Sequence, residues 1–99
     1  MKPRILIAFL FVFALGAADG DAVFKERCAP CHGADGKGKS AIGTPDFTSA
    51  KTQSGITDAE IIDTITNGRK GTIMPAWKGK LADEEIAAVA AYLRTLGHK

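Results

Sequence analysis

The chain has 99 residues, 45% of them hydrophobic and 24% charged, with 13 Lys and Arg against 11 Asp and Glu. That length makes one small domain the natural expectation. The formal charge of +2 gives no basis for nucleic-acid binding, and two cysteines allow at most one disulfide.

Met1-Lys2-Pro3-Arg4 opens the chain with basic charge, residues 5–15 form an unbroken apolar run, and Gly16-Ala17-Ala18 are small. That order predicts a secretory signal peptide over residues 1–18 and a domain over residues 19–99. The run is shorter than the ~20 residues a membrane span needs. No stable span is therefore expected after cleavage, with an uncleaved anchor as the alternative. Lys2 and Arg4 would leave with the leader, so 11 basic and 11 acidic residues would remain. A core this small is marginal unless a covalent or metal staple supports it.

Three helices are expected next. The first runs from Asp19 or Gly20 to Cys28, with Asp19 as cap and Val23 and Phe24 on its apolar side. A loop rich in glycine follows, from Gly33 to Thr48. The second helix runs from Thr57 to Asn67. Thr57 and Glu60 form a capping box, Ile56 and Ile61 a hydrophobic staple, and Ile61, Ile62 and Ile65 an apolar face. Asn67-Gly68 suits a left-handed end. A second loop, Arg69 to Lys80, leads to the third helix, Asp83 to Leu96. Ile86, Val89, Ala90, Leu93 and Leu96 recur there at helical spacing. Asp83, Glu84 and Glu85 suit the positive end of its dipole. Its cap is the weak point, because Ala82 has no side-chain acceptor. With no strand alternation and no internal repeat, the expected class is all-α.

The motif that carries chemistry is Cys28-Ala29-Pro30-Cys31-His32, the C-x-x-C-H pattern of covalent haem attachment. Two thiols on one helical turn can reach the two vinyl groups on a haem edge, and His32 then comes under the ring toward the iron. Attachment requires an oxidising compartment outside the cytoplasm, which agrees with the leader. A zinc half-site or a redox dithiol are the competing readings. Zinc would need further ligands, with only His98 to spare, and the dithiol lacks a βαβ setting. For the sixth iron position, Met74 is the one methionine beyond Met1. It lies in a loop beside Pro75, where a thioether can reach a metal and raise its potential. Core packing is the bland alternative for Met74, and His98 the other ligand candidate.

These residues, with Met74-Pro75-Ala76-Trp77 and the closing helix from Glu85 to Leu96, resemble the class I cytochrome c family in its short bacterial monohaem form. The resemblance covers nearly all of residues 19–99. It implies a small cytochrome c fold: three main helices around one covalently bound haem c, the first and last crossing through Gly20, Phe24, Tyr92 and Leu93. It also implies that the Pro45 carbonyl takes the His32 Nδ1 proton, although Thr44-Pro45 could equally be a rigid turn. The spacing from His32 to Met74 is short for the family, so one haem edge should be more exposed. Arg69, Lys70 and Trp77 are the candidate neighbours of the propionates, with solvated charges as the alternative for Arg69 and Lys70.

An iron held on both sides by protein has no substrate position, so the expected function is one-electron transfer rather than catalysis. A soluble periplasmic monomer with transient redox-protein donor and acceptor is the expectation. The alternatives are the cytochrome subunit of a larger oxidoreductase and, further off, a haem sensor or peroxidase-like enzyme. Lys25, Arg27, Lys37, Lys39, Lys70, Lys78 and Lys80 flank the motifs and could form a basic docking face, or be ordinary surface.

Overall fold

A computed structural model describes residues 18–97. The expected leader, apart from Ala18, and His98 lie outside the described residues. These fold into helices and loops without a strand; the only ladder-like pairing among them is an isolated bridge between Lys78 and Leu81.

The first helical stretch is longer than expected and has three pieces: α1 (Gly20–Val23), a π-helical turn (Phe24–Cys28) and α2 (Ala29–His32). Asp19 caps it, its carboxylate accepting the Ala22 N–H at 3.2 Å. The wide turn has a local cause. Pro30 has no N–H for the Glu26 carbonyl, and its ring would crowd that carbonyl in a regular helix. A 3₁₀ turn (Ser40–Ile42) follows, then a short helix, α3 (Ala50–Ser54), that the apolar pattern does not announce.

The second expected helix is α4 (Asp58–Asn67), and its capping box forms as read. The Thr57 hydroxyl accepts the Glu60 N–H at 3.1 Å, and the Glu60 carboxylate accepts the Thr57 N–H at 2.9 Å. Ile61 and Ile65 are buried, whereas Ile62 faces solvent, so the apolar face is narrower than the sequence suggests. The last helix is α5 (Asp83–Leu96). Ala82 occupies its cap position, and only half a box is possible there: the Glu85 carboxylate accepts the Ala82 N–H at 2.8 Å. Leu81 and Ile86, flanking that end, are both buried.

The crossing of the first and last helical stretches organises the rest. A Cβ on Gly20 would run into the Ala88 carbonyl, so only glycine lets the two backbones meet there. One turn on, Phe24 is 1% exposed and its ring centroid lies 5.3 Å from that of Tyr92. Leu93 is buried in the same core. A second tie comes from Arg94. Its guanidinium donates to the Gln53 carbonyl at 2.7 Å, to the Ile56 carbonyl at 2.5 Å and to the Asp58 carboxylate at 2.6 Å. The Gln53 amide nitrogen donates in turn to the Phe47 and Leu93 carbonyls, at 2.6 and 2.8 Å. This brace holds the segment around α3 onto α5.

Phe24→Ala should cost ~3–5 kcal/mol, the range for truncating a buried aromatic ring. Gly20→Val should unfold the domain outright. Urea denaturation followed by circular dichroism measures both, and a Phe24→Ala loss below 1 kcal/mol would contradict the crossing.

Candidate haem site

One cavity of about 430 Å³ opens between the π-helical turn, α2, the two glycine-bearing loops, α4 and α5. It is of cofactor size. Its walls include Cys28, Cys31, His32, Pro45, Arg69, Met74 and Trp77, so most of the residues singled out from the sequence meet there. Phe24 and Leu93 serve both this wall and the helix crossing.

Local structure explains how each arrives. Cys28 ends the wide turn and Cys31 and His32 follow within α2, which places all three on one side of one helical stretch. The two cysteines are free thiols, with no disulfide between them. Burial and the nearby Cys31 push the Cys28 thiol up to about 11, so it is uncharged at neutral pH. Burial pushes His32 below the usual histidine range, toward the neutral imidazole that a metal requires. The His32 and Phe47 ring centroids lie 6.0 Å apart.

The loop after His32 folds back on α2. The Gly38 N–H donates to the His32 carbonyl at 2.8 Å, the Thr44 hydroxyl to the Cys31 carbonyl at 3.0 Å and the Lys39 ammonium to the Pro30 carbonyl at 2.8 Å. One expected bond is missing. His32 Nδ1 is buried without a hydrogen-bond partner among the described residues, so the Pro45 carbonyl does not accept its proton. That carbonyl is instead turned toward the Gly38 backbone, where a Cβ would come within 2.5 Å of it.

The Met74 loop is built on Gly68. Its φ of +75° is the left-handed region, and a Cβ there would come within 2.9 Å of the Met74 carbonyl. The loop closes through the Arg69 N–H donating to the Met74 carbonyl at 3.2 Å. It is pinned to α4 by the Trp77 and Lys78 N–H groups, which donate to the Ile65 and Thr66 carbonyls at 2.9 and 3.0 Å. Met74 and Trp77 end up half-buried against the core. Lys70 does not join them. It lies with Glu60 and Asp63 along a neighbouring surface groove, which Arg69 also lines.

Sequence reasoning passed over several wall residues, among them Phe47, Ile42 and Ile73. Arg27 was counted only as a flanking cation, yet it lines the cavity, with its guanidinium 5.8 Å from the Trp77 ring centroid. Its place directly before Cys28 was the available signal. The donor set fits a covalently held haem: two uncrosslinked thiols, a half-buried neutral imidazole whose buried Nδ1 is committed to no protein group, and a thioether, all on one cavity.

Residues 16–93 match the family model described as cytochrome c oxidase, cbb3-type, subunit III. The chain is 44% identical over 81 residues to the cbb3-type cytochrome c oxidase subunit FixP of Bradyrhizobium sp. (strain ORS 278), covering 82% of this chain and 28% of that one. It is 38% identical over 81 residues to subunit CcoP of Cereibacter sphaeroides, with the same coverage. The chain thus spans less than a third of the length of these relatives. Among solved structures, the KustC0563 c-type cytochrome superposes with a TM-score of 0.72 at 31% identity, over 79% of this chain and 96% of that one.

Gly68→Ala should loosen the Met74 loop. Gly68 has φ +75° and ψ 178°, a conformation essentially only glycine adopts, so the added Cβ should cost on the order of 1–3 kcal/mol and crowd the Met74 carbonyl. Amide exchange at Arg69, whose N–H bonds that carbonyl, should accelerate while exchange within α5 stays unchanged. Unaltered exchange at Arg69 would contradict this account of the turn.

Proposed function

Since the chain belongs to the cytochrome c family of cbb3-type oxidase subunit III, all-α and carrying covalent haem c, we propose that it delivers single electrons within a respiratory oxidase or a comparable oxidoreductase assembly. In this reading Cys28 and Cys31 form the thioethers, and His32 and Met74 are the axial ligands. The observation that supports it is the convergence of those four side chains on one cavity. The oxidase-subunit relatives favour a lasting partner over the transient donor and acceptor expected from the sequence. The free carrier remains as a second reading. It is favoured by the likeness to a c-type cytochrome whose whole chain is scarcely longer than this domain.

Bound here, the haem iron would supply a reversible one-electron change. The chain's own groups set its terms. Burial keeps His32 neutral and its lone pair available. Met74 offers a soft sulfur that favours the reduced metal. Core residues such as Ile61, Ile65, Val89 and Leu93 keep water from the inner wall, which disfavours the more charged oxidised state. If His32 and Met74 both hold the iron, no position would remain on it for a substrate, which argues for a carrier component rather than a catalyst. Pro45, Arg69 and Trp77 are wall residues in this reading, with Arg69 as a cation that would meet a propionate. No helix among the described residues is long and apolar enough to cross a membrane. The proposed location is the periplasmic side, after removal of residues 1–18.

Maturation with the c-haem machinery should add one haem mass to the chain, and Cys28→Ala or Cys31→Ala should lose a thioether and most of the yield. Met74→Ala should lower the reduction potential and remove the weak ferric sulfur–iron absorption band. Mass spectrometry without a haem-sized addition would defeat the whole reading. An unchanged band in Met74→Ala would move the sixth ligand elsewhere, with His98 the first to test.

Docking should slow as salt rises if the cations steer it, because screening limits their reach to ~10 Å at 0.1 M ionic strength. Charge reversal at Lys37 or Lys78 should then lower the association rate more than reversal at Lys99. Stopped-flow rates across a salt series measure this, and equal effects at the three sites would make the lysines plain surface.

A further inference from the structure

Two elements far apart in sequence meet at the cavity lip. Arg27 belongs to the π-helical turn that delivers Cys28, and Trp77 closely follows Met74 in the loop before α5. Both line the cavity. The Arg27 guanidinium carbon lies 5.8 Å from the centroid of the Trp77 ring, and the Lys80 ammonium lies 5.9 Å from it. Arg27 Nε also donates to the exposed Glu26 carboxylate at 3.1 Å. The backbone of the Met74 loop is tied to α4 through Trp77 and Lys78. The approach of Arg27 to the indole is a side-chain contact between that loop and the turn carrying Cys28.

We propose that Arg27 is a positioning residue for Met74: with Lys80 it clamps the Trp77 indole and so holds the Met74 loop against the turn that carries Cys28. The proposal rests on the reading of Met74 as axial ligand. A cation over an indole face is attracted by the ring's negative quadrupole, and guanidinium does this better than ammonium because it is planar and weakly hydrated. At a partly exposed site the attraction corresponds to about a two- to fivefold change in an equilibrium constant. Loss of the clamp should therefore leave the fold intact and let the thioether depart more readily. Arg27 could instead act only through its charge, as a cation at the cavity mouth, and the test separates the two.

The test uses the full chain matured with haem. Imidazole is titrated into the ferric protein, and loss of the sulfur–iron absorption band gives the half-displacing concentration. Arg27→Gln should lower that concentration by about two- to fivefold, and Arg27→Lys should recover part of it. In a Trp77→Leu background, or in Trp77→Phe if the first does not fold, the Arg27→Gln effect should disappear or shrink. An equal effect in both backgrounds would mean that Arg27 acts by charge alone, and would overturn the clamp. If the band is absent, or survives Met74→Ala, the axial-ligand reading fails. The clamp is then decided by hydrogen exchange: faster Trp77 and Lys78 amides in Arg27→Gln support it, and unchanged amides overturn it.

Discussion

The close approach of Gly20 to the Ala88 carbonyl is the constraint on which the remaining geometry depends. It brings the first helical stretch down onto α5, and the Phe24 and Tyr92 rings fill the next turn of the crossing. With that angle fixed, the chain leaving Phe24 must carry Cys28, Cys31 and His32 along one wall. α4 packs on the other part of α5 and carries the Met74 loop at its end. The cavity is the space these two arms enclose. A bulkier residue at position 20 would change the crossing, and through it the relation between the thiols and the thioether.

The hydrophobic core and the cavity wall are largely the same residues. Phe24, Ile61, Ile65, Val89 and Leu93 belong to both. In a domain of this size the apolar side chains are too few to close a core and build a separate site, so the prosthetic group counts as part of the interior. Thioethers would keep the haem on the chain even through unfolding, so its effect on fold stability comes from the packing it completes rather than from its release.

What could be read from the sequence was mostly local. The Thr57–Glu60 box, the Asp19 cap and the periodicity of α5 depend on residues a few positions apart, and all are found in place. The C-x-x-C-H spacing likewise needed no tertiary knowledge to be noticed. Features set by folding at a distance were not legible. α3 has five residues and no apolar period, so only its Ser49 cap could have announced it. The direction of the Pro45 carbonyl depends on how the glycine loop closes over Gly38. Arg69 and Lys70 are alike and adjacent, and both line the outer groove, yet only Arg69 also reaches the cavity. Arg27 meets Trp77 only after the helices have crossed.

The Arg94 brace has a consequence for how this domain can change over generations. Apart from Asp58, which is largely exposed, and the Gln53 amide, its acceptors are main-chain carbonyls. A guanidinium that grips carbonyls is indifferent to the side chains those residues carry. The outward positions of α3, Ala50, Lys51 and Ser54, can therefore drift in composition while its path over α5 is preserved. Variation tolerated there would let such domains present different outer faces to different assemblies around an unaltered redox centre.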